Sequence, residues 1–236
     1  MTVLRTAIVI PTYNEREGLA AIVSAVRAAV PEATVLIVDD NSPDGTGRLA
    51  DELAAADPRV RVRHRAGKEG LGRAYVDAFL ALLDEGWDRV VQMDADFSHD
   101  PNDVPRLLRA LDEGADVAVG SRYVQGGTTV NWGIRRKLIS RGGSMYARQV
   151  LGVAVRDLTA GFKAWRSETL RKIPLREVGA QGYGFQIEMT YRALKDGARL
   201  VEIPIRFVDR RVGQSKMSRS IFVEAITIVW RLRLRV

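Results

Sequence analysis

The chain has 236 residues, 46% of them hydrophobic and 28% charged, with a formal net charge of +7 at pH 7. That length buries a core without covalent staples, and the composition excludes a disordered, collagenous or coiled-coil chain. There is no cysteine, and the only histidines are His64 and His99, which excludes disulfides, a cysteine nucleophile, thiolate metal sites and a His-rich zinc site. The longest stretch without Asp, Glu, Lys or Arg is the 12 residues from Tyr123 to Ile134, short of the roughly 18 apolar residues that a spanning helix needs. The opening Met-Thr-Val-Leu-Arg has no signal-peptide shape, so a cytoplasmic, reducing location is expected.

In chain order, Ala7–Ile10 reads as a buried strand stopped by Pro11, and the apolar spacing from Glu17 to Val30 predicts a helix. Val35–Val38 is a second strand, followed by the turn cluster Asn41–Gly45 and a helix around Leu49, Leu53 and Ala54. Val60, Val62 and His64 alternate with Arg in a half-exposed strand, and Gly70-Leu71-Gly72 opens a helix through Leu83. Arg89–Met93 is a strand ending in Asp94-Ala95-Asp96, and a helix near Val104–Leu111 precedes a strand at Asp116–Gly120. Strands alternating with helices predict an α/β fold, a mostly parallel sheet with helices on both faces. Beyond Ser121 the rhythm changes. Gly126-Gly127 and Gly142-Gly143 bracket a basic segment, Ala160–Trp165 resembles a short strand, Phe185–Leu194 a helix, Leu200–Pro204 a strand and Arg210–Lys216 a basic loop. Ile221, Phe222, Ala225, Ile226, Val229 and Trp230 mark one face of a C-terminal amphipathic helix. No repeat or linker divides the chain, which reads as one domain over 1–236.

The charge is split. Residues 1–121 carry 13 Lys+Arg against 21 Asp+Glu, a balance of −8, and residues 122–236 carry 23 against 8, a balance of +15. An acidic half can hold a divalent cation; a basic half suits phosphates, nucleic acid or an anionic membrane. Ligands of open parallel sheets bind beyond the carboxyl ends of the strands, and three polar groups fall there: Pro11–Glu15, Asp39–Thr46 and Asp94–Asp96. Two carboxylates at a sharply turning strand end can meet one hard cation, whose other ligands are substrate phosphates. There is no Walker loop, and Gly70-Leu71-Gly72 lacks the third glycine of a dinucleotide fingerprint. No basic-aromatic array supports nucleic-acid binding.

Val9-Ile-Pro-Thr-Tyr-Asn-Glu15, Ile37-Val-Asp-Asp-Asn-Ser-Pro-Asp-Gly-Thr46, Met93-Asp-Ala-Asp-Phe-Ser-His99, Gly120-Ser-Arg-Tyr-Val124 and Gly213-Gln-Ser-Lys216 together resemble the inverting family 2 glycosyltransferases, in particular their polyprenyl-phosphate branch. The resemblance implies a GT-A (Rossmann-like) fold, with residues 1–121 as the nucleotide-sugar and metal half and 122–236 as the acceptor half. It implies transfer of mannose from GDP-mannose to a polyprenyl (dolichyl) phosphate. It also implies site residues. Pro11, Tyr13 and Glu15 contact the nucleoside, Val38 does so through its backbone and Asp40 through its side chain. Asp94, Ala95 and Asp96 meet the diphosphate and a Mg²⁺ or Mn²⁺ held by Asp94, Asp96 and Ser98, where some relatives carry Gln in place of Ser98. Arg122, Arg210 and Lys216 bind the donor diphosphate, and Arg122 and Arg136 the acceptor phosphate, with Ser140 in the acceptor loop. Asp96, Arg122, Arg136 and Arg210 are the catalytic set. A phosphate monoester has a second pKa of about 6, so the acceptor is its own ionised nucleophile; no protein base is required, and His99 is expected to structure its loop. The implied location is peripheral, on the cytoplasmic face of a membrane, held directly or through an anchoring protein. The 221–230 helix face, followed by Arg231, Arg233 and Arg235, either lies on that membrane or packs on the core. A UDP-sugar donor such as UDP-glucose is the alternative within the same chemistry; a non-enzymatic basic binding module is a distant one.

Overall fold

A computed structural model describes residues 4–209 and 227–234. Strands β1 (Thr6–Thr12), β2 (Thr34–Asp39), β3 (Val60–His64), β4 (Arg89–Gln92) and β5 (Val117–Ser121) alternate with helices α1 (Arg16–Ala29), α2 (Thr46–Ala56), α3 (Leu71–Asp84) and α4 (Val104–Asp112). A short strand β6 (Thr128–Val130) leads into α5 (Ile134–Leu151); β7 (Lys163–Arg166), α6 (Ser167–Lys172), α7 (Gly182–Lys195), β8 (Leu200–Pro204) and β9 (Arg206–Val208) follow. The main sheet runs β3-β2-β1-β4-β7-β5-β8. All its neighbours pair in parallel except β7, which is antiparallel to both β4 and β5. β6 and β9 form a small parallel sheet of their own.

Alternate residues of the central strands feed two cores, as the two-residue period of a strand requires. Ile8, Ile10, Val35, Ile37 and Val91 pack with Leu19, Ile22 and Val26 of α1 and with Leu107 and Leu111 of α4. Ala7, Val9, Leu36, Val38 and Val90 pack on the other face with Tyr75, Phe79 and Leu82 of α3 and Phe185 and Met189 of α7. Burial on both faces is why β1 and β2 read as unbroken apolar runs. The expected α/β architecture with helices on both faces is the one found.

Two expectations need correction. Gly142 and Gly143 do not punctuate the chain; both lie inside α5. A helical glycine costs about 1 kcal/mol relative to Ala, so the pair read as a break, yet the Cβ position of each faces open space. The C-terminal helix shows its packing only over 227–234, because 210–226 lie outside the described residues. There Ile228, Val229 and Leu232 are buried against Ala147 and Leu151 of α5 and Ile187 and Tyr191 of α7. Val229 is therefore core, whereas Trp230 is 51% exposed; the two do not share one face toward a membrane.

Candidate active site

The carboxyl ends of β1, β2, β4 and β5 share one edge of the sheet, because β1, β2 and β4 pair in parallel and β7 is antiparallel to both β4 and β5. The loops there are built by side chains that cap backbone groups. Asp39 accepts the Thr12 hydroxyl at 3.0 Å, the Ser42 N–H at 3.0 Å and the Ser42 hydroxyl at 2.6 Å. Asn14 N–H donates to Ser42 Oγ at 3.1 Å and Glu15 N–H to Thr46 Oγ1 at 3.1 Å, while Asp44 accepts the Thr46 hydroxyl at 2.6 Å. The Asp39–Thr46 segment thus holds the β1 loop in place. Gly47 completes the fit: a Cβ there would lie 2.9 Å from Asp39 Oδ2. An open cleft of about 430 Å³ lies along this loop, lined by Asp39, Ser42, Asp44, Arg48 and His64 among others.

Of the residues expected at the nucleoside, Pro11 and Tyr13 sit half-buried at the end of β1, and Lys68 Nζ lies 3.9 Å above the Tyr13 ring. Glu15 begins the turn into α1. Val38 is fully buried and its carbonyl oxygen lies 3.4 Å from the Thr12 hydroxyl. Asp40 is ion-paired with Arg65, which also reaches Glu69 at 2.7 Å. Burial raises the Asp40 pKa, and Arg65 opposes that rise.

At the end of β4 the chain turns sharply, with Phe97 at φ +59°. Asp94 and Asp96 are half-buried and Ala95 is buried. Asp96 Oδ1 accepts the Ser98 N–H at 3.0 Å, which fixes the carboxylate at the strand end. Ser98 Oγ is buried with no hydrogen-bond partner. Among the described residues no third acidic or histidine side chain joins Asp94 and Asp96 in a metal-binding group. Two carboxylates beside an unpartnered hydroxyl fit a hard cation that takes its remaining oxygens from a substrate diphosphate. His99 stacks on Phe162 at 4.9 Å and meets Phe207 edge-on at 5.3 Å. Burial lowers its pKa to about 4, so it is a neutral aromatic wedge, in keeping with a loop-structuring role.

The basic half closes on this turn. Val208 N–H donates to Ser98 O at 3.1 Å, which ties β9 to the Asp94–Asp96 loop. Phe207 and Trp132 meet edge-to-face at 5.4 Å, and both lie near the Arg122 guanidinium, at 5.3 and 5.5 Å. Arg122 is buried and its Nε and Nη2 bond both oxygens of Asp157, at 2.7 and 2.6 Å, with Thr159 at 2.8 Å. Burial disfavours its charge, but Asp157 outweighs that and raises the pKa. Arg136 lies 4.2 Å over the Trp132 ring and pairs with Asp209 at 2.7 Å. Ser140 accepts the Tyr123 hydroxyl at 2.7 Å. Phe207 therefore links the Asp94–Ser98 turn, through His99, to Arg122 and to Trp132, on which Arg136 lies, and Ser140 is reached from Arg122 through Tyr123. Arg210 and Lys216 lie outside the described residues.

The Glycosyl transferase family 2 domain matches residues 7–173. The chain belongs to glycosyltransferase family 2. It is 53% identical over 97% of its length to polyprenol monophosphomannose synthase of Mycolicibacterium smegmatis, covering 88% of that protein. It is 51% identical, again over 97% of its length, to undecaprenyl-phosphate mannosyltransferase of Micrococcus luteus, covering 93% of it. Glucosyl-3-phosphoglycerate synthase of Mycobacterium tuberculosis, solved with Mn²⁺, UDP-glucose and phosphoglyceric acid, has the same fold, with a TM-score of 0.70 at 22% identity over 96% of this chain and 80% of that one.

This family 2 glycosyltransferase also carries residues that the sequence alone did not single out. Asp157, Trp132 and Asp209 partner the two arginines. Lys163, on β7, is fully buried and donates to the Gln186 carbonyl oxygen at 3.0 Å and to Gln186 Oε1 at 2.9 Å. Gln186 Nε2 is left buried without a partner, and a Cβ on Gly161 would lie 3.7 Å from it and 3.6 Å from Asp94 Oδ2. The amide and the carboxylate thus both face Gly161. Burial lowers the Lys163 pKa from its ordinary 10.5 to about 7. Between those values the unfolded chain binds more protons than the folded one, so this residue makes stability rise with pH across that window. Lys163→Met is expected to flatten the rise, by at most about 1.4 kcal/mol per pH unit. Denaturant midpoints of both proteins at pH 7.5 and 9 check it; equal slopes would contradict it.

Proposed function

We propose that this glycosyltransferase moves mannose from GDP-mannose to the phosphate of a membrane polyprenol, with inversion at the anomeric carbon. The observation that carries the reading is the meeting of the Asp94–Asp96 turn with the Arg122–Arg136 wall across His99 and Phe207. Two anionic substrates must be brought together, and in this reading the acidic turn serves as a cation site and the adjoining basic residues as a phosphate site. The names of the relatives support the mannosyl group and the polyprenyl phosphate acceptor.

In this reading the donor nucleoside lies along Pro11, Tyr13, Glu15 and Asp40 and its diphosphate reaches Asp94 and Asp96, with Arg210 and Lys216 closing from the other side. Asp94, Asp96 and Ser98 would hold a Mg²⁺ or Mn²⁺, which supplies charge neutralisation for the leaving diphosphate. Arg136 turns from Asp209 to the acceptor phosphate. A half-exposed pair contributes only about 0–1 kcal/mol, whereas a guanidinium grips phosphate with a matched fork of donors. Arg122 is already satisfied by Asp157, so it serves as a rigid platform under the aromatic wall more than as a mobile clamp. The acceptor phosphate oxygen attacks the anomeric carbon from the face opposite the leaving diphosphate. It is ionised at neutral pH, so no residue here must take a proton, and His99, packed between Phe162 and Phe207, is needed only to shape its loop.

Arg136→Ala is expected to raise KM for the lipid phosphate about ten-fold or more while KM for the donor moves less than three-fold. Steady-state kinetics with each substrate varied in turn check this; equal rises would contradict the division of labour. A β-linked product, read by NMR of the mannosyl phosphate, is expected from an α-linked donor.

A further inference from the structure

Among the described residues seven large apolar side chains are exposed, and four belong to α5: Ile134 (77%), Leu138 (67%), Ile139 (48%) and Met145 (55%). Ile134, Leu138, Arg141 and Met145 are spaced i, i+4, i+7, i+11, one continuous stripe on a helix. The buried positions Ser144, Ala147 and Leu151 lie on another side of the helix. Arg136 and Ser140 also turn inward, to Asp209 and to the Tyr123 hydroxyl. The helix carries Arg135, Arg136, Lys137, Arg141 and Arg148 and no acidic residue. Ile134 and Leu138 are the most exposed apolar residues of this helix, and they stand among its cations. Arg135 and Lys137 flank this stripe and Arg141 lies within it, where its long stem lets the guanidinium reach the headgroups; an interfacial helix combines apolar residues with such cations and settles about 5–10 Å into the headgroup region of an anionic bilayer.

We propose that α5 is the membrane-docking element, with Ile134, Leu138 and Met145 inserted among the lipids and Arg135, Lys137 and Arg141 on their headgroups. The proposal rests on the reading of the acceptor as a membrane lipid phosphate. It adds a reason for the geometry: one helix inserts its outer stripe in the bilayer and holds its inner residues, Arg136 and Ser140, toward the site, so a phosphate at the interface meets the site without leaving the membrane. An anionic bilayer is favoured over a protein surface by the uniform charge of the helix. The C-terminal segment is the other place to look, through Trp230 and Leu234, the latter 78% exposed. Its neighbours Ile228, Val229 and Leu232, however, are committed to the core.

The test is co-sedimentation with phosphatidylcholine vesicles containing about 30 mol% phosphatidylglycerol, compared with phosphatidylcholine alone. The parent protein is expected to pellet with the anionic vesicles and to be released by high salt. Leu138→Glu/Met145→Glu is expected to weaken binding about ten-fold or more, while Trp230→Glu leaves it within two-fold. The double variant should keep its thermal midpoint and its transfer rate to a short, detergent-dispersed polyprenyl phosphate. Parent-like vesicle binding by the double variant, loss that follows Trp230 instead, or no binding by the parent without a protein anchor would each overturn the proposal. Vesicle binding that depends on α5 in a protein that transfers no sugar to the short acceptor would leave the surface standing and overturn the acceptor reading.

Discussion

Asp96→Asn is expected to lower turnover about a thousand-fold, with the fold intact. Asparagine keeps the acceptor oxygen that receives the Ser98 N–H, so the turn after β4 survives and only the negative charge is lost. Asp96→Ala should fall as far in rate and also lose a hydrogen bond worth about 1 kcal/mol. In the proposed mechanism this carboxylate organises a cation and the developing diphosphate, and losing such a group costs several kcal/mol of transition-state stabilisation, hence the size of the effect. EDTA should reproduce the loss in the parent protein, and Mg²⁺ or Mn²⁺ should restore the parent but not the variants. Initial rates over a metal titration, with thermal midpoints as the control for folding, check all of this. An Asp96→Asn protein retaining more than about a tenth of the rate would remove the carboxylate from the centre of the mechanism.

The second large effect falls on stability. Asp157 has no exposed surface and accepts from the Arg122 backbone N–H at 3.0 Å as well as from its guanidinium. The backbone N–H groups of Arg156 and Asp157 are in turn held by Glu202, at 2.8 and 3.0 Å. Asp157→Ala leaves a buried guanidinium without its counter-charge, which costs about 3–5 kcal/mol. Arg122→Met/Asp157→Leu removes both charges and should recover much of that loss, since a buried pair replaced by apolar residues is often near neutral. Urea unfolding of the two proteins separates the outcomes; a loss under 1 kcal/mol for Asp157→Ala would show that water reaches this pair.

The centre of the sheet was legible because β1, β2 and β4 are buried on both faces, so Ala7–Ile10, Val35–Val38 and Arg89–Met93 read as mostly apolar runs whose carboxyl ends had to converge. Asp94 and Asp96 stood out by their place after such a run. Asp157 did not, because it lies 35 positions from Arg122 within an unremarkable loop, and long-range ion pairs leave no local pattern. Lys163 was hidden inside the strand reading Ala160–Trp165, where nothing in the sequence distinguishes a buried amine from one reaching solvent. α5 was obscured twice over, by Gly142-Gly143 and by apolar residues on its outer side, which spoil the usual amphipathic period. The antiparallel placement of β7 between β4 and β5 was equally unreadable, since pairing partners are set by tertiary packing.

The most direct test of the central claim mixes purified protein and Mg²⁺ with a polyprenyl phosphate and radiolabelled GDP-mannose, with labelled UDP-glucose in a parallel tube, and counts label in the lipid phase. The account predicts lipid-soluble label from GDP-mannose that is abolished by Asp96→Asn and by EDTA, and none from UDP-glucose. Label from UDP-glucose alone would contradict the assigned donor, and label from GDP-mannose that survives both Asp96→Asn and EDTA would contradict the assigned site.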